Sequence, residues 1–192
     1  MKYGTWAVSG PKNKADAERL RRAGYSPITA VVLCSRGYDT PELAREFLAC
    51  DRPLSDPFEL LDMEPARARV QKALDKKEHI CVFGDYDVDG ITATCLMTEF
   101  LRGLGGHVTS YIPARLEEGY GLNPLAIDTL KKQGVQLIVT VDCGITANAE
   151  AALCRELGID LVITDHHECK TALPEAAAIV DPHLSLIHIS EP

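Results

Sequence analysis

The sequence predicts an α/β protein in which a helical N-terminal segment precedes a doubly wound, Rossmann-like parallel sheet. From His79 onward, short apolar runs alternate with stretches of helical spacing, and glycines close several of the predicted helices. Up to about Glu78 the spacing of apolar residues is helical, with breaks at Gly24, Pro53 and Pro57. Alternating strands and helices joined by short loops are typical of a parallel sheet covered by helices.

Each element is predicted from its local pattern. In the N-terminal segment, helices are expected over residues 15–23, 40–49 and 64–77, with an apolar stretch at 28–34. Thr40 and Pro41 form a typical helix start, because a hydroxyl can cap the helix and proline suits its first position. Further along, strands are predicted at 79–83, 108–112, 136–141, 160–164 and 177–180, and helices at 91–104, 124–133 and 147–157.

Composition excludes several classes of protein. The formal net charge is −8, whereas a simple nucleic-acid-binding module is normally basic. The seven cysteines are scattered and form no C-x-x-C pair, which argues against a disulfide framework or a structural zinc site. The first ten residues lack an apolar core and no apolar run is long enough to span a membrane, so a soluble, cytoplasmic protein without membrane association is expected.

Charged or metal-capable side chains follow four of the predicted strands. In chain order they are Asp85, Asp87 and Asp89, then Arg115, then Asp142, then Asp165, His166 and His167. Open parallel sheets bind ligands at the carboxyl ends of their strands. We therefore expect a functional site at this edge of the sheet.

The composition of this edge favours a divalent cation. Three close carboxylates after the first strand repel one another and would repel a bare phosphate, and a bound cation removes both problems. Carboxylate oxygens together with imidazole suit Mn²⁺ or Mg²⁺, and enough ligands are present for two ions, a common device for phosphoester cleavage. Structural alternatives stay open: a capping role for Asp85, a turn role for Asp142, solvated loop positions for Asp87, Asp89, His166 and His167, and a surface position for Arg115.

Four segments carry a resemblance to a known family. FGDYDVDG, YIPARLEEGYGL, LIVTVDCGI and LVITDHH resemble, in order and spacing, motifs of the DHH phosphoesterases. The second segment is similar to the branch of single-strand-specific DNA exonucleases rather than to the pyrophosphatase or short-oligonucleotide branches. The resemblance covers residues 27–183 and is specific over residues 80–182.

The resemblance implies a role for each matching position. The implied metal ligands are Asp87, Asp89, Asp142 and His166, with the leading aspartate Asp85 as a further candidate. Asp142 would bridge two ions of Mn²⁺ or Mg²⁺, and Asp165 would support His166. His167 would lie beside the scissile phosphate, and Arg115 would contact a backbone phosphate. The implied catalytic set is therefore Asp87, Asp89, Asp142, His166 and His167.

The resemblance also implies an activity and a domain layout. The intact enzyme would degrade single-stranded DNA from the 5′ end in repair and recombination, with single-strand-binding protein and a helicase as candidate partners. Residues 1–78 would form the helical segment and 79–183 a DHH domain whose fourth motif lies beyond this chain, with 184–192 a foreign tail. The chain alone would then be an inactive fragment.

Three competing functions remain. Another phosphoesterase or oligonucleotidase of the same family would share the motifs. A phosphatase of the haloacid-dehalogenase type is suggested by DVDG, but its nucleophile should follow the strand directly. A non-catalytic scaffold of a replication complex would have lost its ligands, and here the carboxylates and histidines are intact.

Overall fold

The computed structural model describes residues 13–49, 55–114, 118–169 and 172–185. These residues fall into two compact units, one ending at Ser55 and the other beginning at Asp56. Within the described ranges, no helix is both long and apolar enough to cross a membrane.

The first unit is helical, as the sequence predicts. It contains α1 (Lys14–Arg22), α2 (Pro27–Ser35) and α3 (Pro41–Ala49). Side chains of Asn13 and Ser26 accept hydrogen bonds from backbone N–H groups at the starts of α1 and α2, which satisfies donors that a helix leaves unpaired. The apolar faces of the three helices share a small core of buried side chains, namely Ala17, Leu20, Ala30, Leu33, Cys34 and Ala44.

The second unit contains the predicted alternation of strands and helices. Its elements are α4 (Met63–Asp75), β1 (His79–Phe83), α5 (Val88–Gly103), β2 (His107–Tyr111), α6 (Pro124–Lys132), β3 (Leu137–Val141), α7 (Asn148–Glu156), β4 (Asp160–Thr164) and β5 (Ala178–Val180). Single turns of 3-10 helix precede α4 and follow β5. Strand bounds lie within one residue of the prediction, whereas α5 begins three residues earlier than the predicted start at Ile91.

The five strands form one parallel sheet in the order β2-β1-β3-β4-β5. Because neighbouring strands are in register, Val82, Val139 and Val162 lie on one face with residues of α4 and α5. Alternate residues such as Cys81 and Ile138 lie on the other face with residues of α6 and α7. Helices on both faces of a parallel sheet confirm the doubly wound α/β fold.

The predicted domain limits stay predictions. Helix α4 belongs to the same compact unit as the sheet, and its Ala73 and Leu74 share a core with Ile80. At the other limit, the Ser185 hydroxyl oxygen accepts a hydrogen bond of 2.8 Å from the Leu61 backbone N–H. The rest of the predicted foreign tail, residues 186–192, lies outside the described residues.

Candidate metal centre

The order of the strands brings the predicted site together. The connection after β1 leads to β2 and the connection after β3 leads to β4, in opposite directions along the sheet, so the direction switches between the neighbouring strands β1 and β3. Such a switch point is where open α/β sheets bind ligands. The acidic loop follows β1, Asp142 follows β3, and His166 comes two residues after β4, the other neighbour of β3.

Two glycines allow the β1 loop to fold tightly against α5. A Cβ atom at Gly90 would lie 2.6 Å from the backbone N and O of Asp85, and one at Gly84 would collide with Thr94. The loop is closed by Asp87, whose Oδ1 accepts a hydrogen bond of 3.0 Å from Gly90 N–H. The helix-capping role considered for Asp85 therefore belongs to Asp87, and Asp89 lies in the first turn of α5.

Asp85 is buried without being fully hydrogen-bonded. Only 2% of the Asp85 surface is exposed to solvent, and its Oδ1 atom has no hydrogen-bond partner among the described residues. A buried carboxylate oxygen without a partner is costly unless a cation or water satisfies it. This orphaned oxygen fits a site that is completed by a metal ion.

Asp142 has an uncommon backbone conformation at the end of β3. Its φ of 61° places a non-glycine residue in the left-handed region, which L-residues other than Asn and Asp seldom adopt. Its residue is 9% exposed, and its Oδ1 lies 2.9 Å from His166 Nε2. Burial raises the pKa of the Asp142 carboxyl, and the charges of Asp89 and Asp87 raise it further, while the hydrogen bond with His166 opposes them.

Asp165 organises the loop after β4. Its Oδ1 accepts hydrogen bonds from the backbone N–H groups of His166 and His167, and its Oδ2 accepts one from Ile145 N–H. The same Oδ1 accepts a hydrogen bond of 2.7 Å from His167 Nδ1, which raises the pKa of His167. In a neutral imidazole ring this contact favours the form with the proton on Nδ1. The lone pair on Nε2 of His167 can then bind a cation.

Two groups of three side chains could each hold a cation. One consists of Asp85, Asp87 and Asp142, and the other of Asp142, His166 and His167; within each group the ligand atoms lie within 4.8 Å of one another. Asp142 belongs to both groups, the position expected of a bridging ligand. Carboxylate oxygens with imidazole nitrogens suit Mn²⁺ or Mg²⁺, so the residues present fit the predicted metal.

The remaining predicted residues are placed differently. Asp89 is in neither group, although its Oδ2 lies 3.6 Å from His166 Nε2. His167, predicted beside the substrate phosphate, lies among the possible ligands. Arg115 lies outside the described residues, and its phosphate contact stays a prediction.

Sequence reasoning missed two residues of this edge. Asp181 follows β5 directly, is fully buried, and has an Oδ2 atom without a partner within the described ranges; burial raises its pKa. Reading the residue after the fifth strand, as for the first four, would have found it. Tyr120 donates a hydrogen bond of 3.2 Å to the Asp142 carbonyl, and no local pattern signals this contact because it depends on the path of a loop.

The sheet and its oxygen-and-imidazole edge define an α/β domain of the doubly wound class, with a candidate metal site at its switch point. The model of the DHH family, N-terminal domain, matches residues 79–187, which is more than half of the chain. The chain therefore belongs to the DHH family.

Two relatives within this family show which branch the chain resembles. The chain is 42% identical over 178 residues to the single-stranded-DNA-specific exonuclease RecJ of Bacillus subtilis, covering 92% of this chain and 23% of that protein. It is 38% identical over 135 residues to RecJ of Thermus thermophilus, covering 69% of this chain and 20% of the relative. The chain thus spans about a fifth to a quarter of the length of these curated relatives.

Solved structures agree in fold. A crystal structure of exonuclease RecJ bound to manganese matches with a TM-score of 0.66 and 36% identity, over 73% of this chain and 36% of that one. RecJ in complex with Mn²⁺ from Thermus thermophilus matches with a TM-score of 0.67 and 28% identity, over 95% of this chain and 26% of the other.

Proposed function

We propose that this chain contributes the metal-binding part of a single-strand-specific DNA exonuclease that hydrolyses phosphodiester bonds from the 5′ end. The observation that carries the proposal is the membership of Asp142 in both candidate ligand groups. A shared carboxylate is what a two-ion site requires. The similarity to an exonuclease named for single-stranded DNA supports the substrate, and the similarity to two RecJ structures solved with manganese supports the metal.

Each candidate ligand has a distinct part in the proposal. Asp85, Asp87 and Asp142 would hold one Mn²⁺ or Mg²⁺ ion, and Asp142, His166 and His167 the other. Such ions supply an activated water and neutralise charge on the phosphate. Asp165 would act on His167 by fixing which ring nitrogen carries the proton,.

The neighbouring cavity suggests where a substrate would enter. It has a volume of about 530 Å³ and runs from Asp142 and His166 along α5 to Phe100. One end is lined by carboxylates and imidazole and the other by apolar side chains. Repair and recombination, and partnership with single-strand-binding protein and a helicase, stay predictions from the resemblance.

A chimeric enzyme tests the proposal. Residues 79–187 of this chain would replace the matching region of the Bacillus subtilis relative, and the product would be incubated with Mn²⁺ and a single strand labelled at its 3′ end. We expect shortening from the 5′ end, no action on a duplex, and loss of the reaction in an Asp142→Asn chimera. A 5′-labelled strand controls for polarity, because it should release its label at once.

The same experiment separates the competing functions. A chimera that folds and binds Mn²⁺ but leaves DNA intact would contradict the proposal and favour a scaffold. Activity restricted to very short oligonucleotides would favour an oligonucleotidase of the same family. Trapping of a phosphorylated aspartate would favour the haloacid-dehalogenase alternative.

A further inference from the structure

The loop between β2 and α6 is held by hydrogen bonds to the carboxylate of Glu118. The Tyr111 hydroxyl donates a hydrogen bond of 2.6 Å to Glu118 Oε2, and the Ala114 N–H donates one of 3.0 Å to Oε1. Asn123, at the start of α6, donates a third of 3.4 Å. These hydrogen bonds lower the pKa of Glu118, and the bond from Ala114 has the largest effect. Both ends of the loop are thereby tied to one carboxylate.

Tyr120 follows Glu118 by two residues and lies beside the candidate metal ligands Asp142 and His167. Its ring makes edge-to-face contacts with the rings of Tyr86 and His167, at centroid distances of 6.3 and 6.2 Å. Its hydroxyl donates a hydrogen bond of 3.2 Å to the backbone carbonyl oxygen of Asp142.

The accepting residue needs such support. Asp142 has the left-handed backbone described above, with a φ of 61°, and such conformations persist only where surrounding contacts determine them. Its N–H donates a hydrogen bond of 3.2 Å to Thr164 O, and its carbonyl accepts the one from Tyr120. The two bonds hold the backbone on both sides of the Cα atom, and the position of the carboxylate follows from that backbone.

We propose that Tyr120 is a positioning residue for the metal centre: its hydroxyl holds the Asp142 backbone so that the Asp142 carboxylate lies in both ligand groups. The proposal deepens the function proposed above, because it assumes that Asp142 binds metal. Tyr120 does not itself ligate the ion; it acts through the carbonyl of Asp142.

The variant Tyr120→Phe removes only the hydroxyl and keeps the ring contacts. We expect it to bind Mn²⁺ about two- to tenfold more weakly in calorimetry, the effect of losing one hydrogen bond. The paramagnetic resonance spectrum of bound Mn²⁺ should also change, since the position of a ligand changes. Tyr25→Phe is the matched control, because Tyr25 belongs to the helical unit and the same deletion there should leave both measurements unchanged.

A second measurement does not depend on metal. In metal-free Tyr120→Phe, hydrogen exchange at the Asp142 amide should be faster than in the wild type by about the same factor of two to ten. The reason is that the hydrogen bond from the Asp142 N–H to the Thr164 carbonyl should open more often when the Tyr120 hydroxyl is absent. Unchanged exchange at Asp142 would overturn the positioning role whether or not the chain binds Mn²⁺. Wild-type protein that binds no Mn²⁺ would overturn the proposed function instead, while faster exchange in the variant would still support the backbone contact.

Replacement of the ring gives the remaining control. Tyr120→Leu should weaken Mn²⁺ binding by about as much as Tyr120→Phe if the hydroxyl carries the role. Wild-type affinity in Tyr120→Phe, with a loss only in Tyr120→Leu, would assign the effect to ring packing and contradict the proposal.

Discussion

His166 Nε2 lies 2.9 Å from Asp142 Oδ1, and this contact joins the ends of β3 and β4. The same nitrogen lies 3.6 Å from Asp89 Oδ2 in the first turn of α5. An imidazole nitrogen can donate a proton to a carboxylate or offer its lone pair to a cation, but not both at once. Binding of a metal ion by both residues would therefore replace this hydrogen bond with two coordination bonds.

The first prediction concerns Asp142. Asp142→Asn keeps the size of the side chain but removes the charge, and we expect at least a hundredfold weaker Mn²⁺ binding because both ligand groups lose a carboxylate. Without metal the variant should be at least as stable as the wild type, since burial and the charges of Asp89 and Asp87 raise the pKa of Asp142 and disfavour its charged form. Calorimetry and thermal melting with and without Mn²⁺ measure both effects.

Asp128→Asn provides the control for this prediction. Asp128 lies on the exposed side of α6, so the same change in charge should leave Mn²⁺ affinity within a factor of about two, as expected for a screened surface charge. Equal affinities for the Asp142 and Asp128 variants would remove Asp142 from the metal centre.

The fold could be predicted because its strands are short and apolar. Residues 80–83 and 137–141 are buried in the sheet, so they form largely apolar runs that stand out from the helices between them. The start of α5 could not be predicted as well. Its cap is Asp87, inside a run of three aspartates that the apolar pattern assigns to a loop.

The site could be predicted only where it depends on strand ends. Parallel strands end at one edge, so Asp142 and His166 are brought together by any order that makes β3 and β4 neighbours. The sequence does not predict how the candidate ligands divide into two groups. Asp85 and His167 each belong to one of the groups, whereas Asp89 belongs to neither. Those differences arise from a few ångströms of loop geometry, which residue spacing does not encode.

The second prediction concerns a charge cluster at the opposite end of the sheet, in which the side chains of Arg69 and Glu78 are largely buried and that of Asp160 is half-exposed. Arg69 of α4 donates hydrogen bonds of 2.7 Å to Glu78 and 2.5 Å to Asp160, and its side chain is 10% exposed. Arg69→Met leaves the buried carboxylate of Glu78 without a partner, which costs about 3–5 kcal/mol. We expect a fall in Tm of about 10 °C in calorimetric melting.

The same helix offers a matched control. Arg67 is paired with Glu64 on the exposed surface of α4, and exposed pairs contribute less than about 1 kcal/mol. Arg67→Met should therefore change the Tm by no more than about 3 °C. If the Arg69 variant melts no lower than the Arg67 variant, the charge cluster does not stabilise the fold. The double variant Arg69→Met, Glu78→Met should recover part of the loss.

The third prediction is a dependence of stability on pH through His79. Its ring stacks on His107 at 4.1 Å, and burial, followed by the charge of His107, lowers the pKa of His79 below its usual 6.5. The unfolded chain then binds the proton more tightly than the folded one. The stability contributed by neutral His79 is present above the unfolded pKa and is lost as pH falls towards the folded pKa.

Urea denaturation at about pH 8 and about pH 5.5 measures this effect on either side of the usual histidine pKa. The wild type should lose more stability on acidification than His79→Gln, whose side chain does not titrate. His107→Gln should show an intermediate loss, because it removes the smaller cause of the pKa shift and leaves burial in place. An equal loss in the wild type and His79→Gln would show that His79 does not contribute.

The last prediction compares the two end glycines of α5. A Cβ atom at Gly90 would lie 2.6 Å from the backbone of Asp85, whereas one at Gly103 would meet nothing within 4 Å. Because backbone atoms cannot move aside as a side chain can, Gly90→Ala should push α5 away from the end of β1 and cost at least about 1–3 kcal/mol. Gly103→Ala should instead stabilise the protein by up to about 1 kcal/mol, since alanine is the better helix former.

The two variants also separate stability from metal binding. Displacement of α5 moves Asp87, the residue that caps this helix, relative to Asp85 and so opens one of the two ligand groups. Mn²⁺ affinity measured by calorimetry should therefore fall at least about tenfold in Gly90→Ala, the effect expected when the support of a metal ligand is disturbed. It should stay at the wild-type value in Gly103→Ala. Wild-type affinity in Gly90→Ala would mean that the group formed by Asp85, Asp87 and Asp142 tolerates a shift of the helix, and that the close approach of Gly90 serves packing alone.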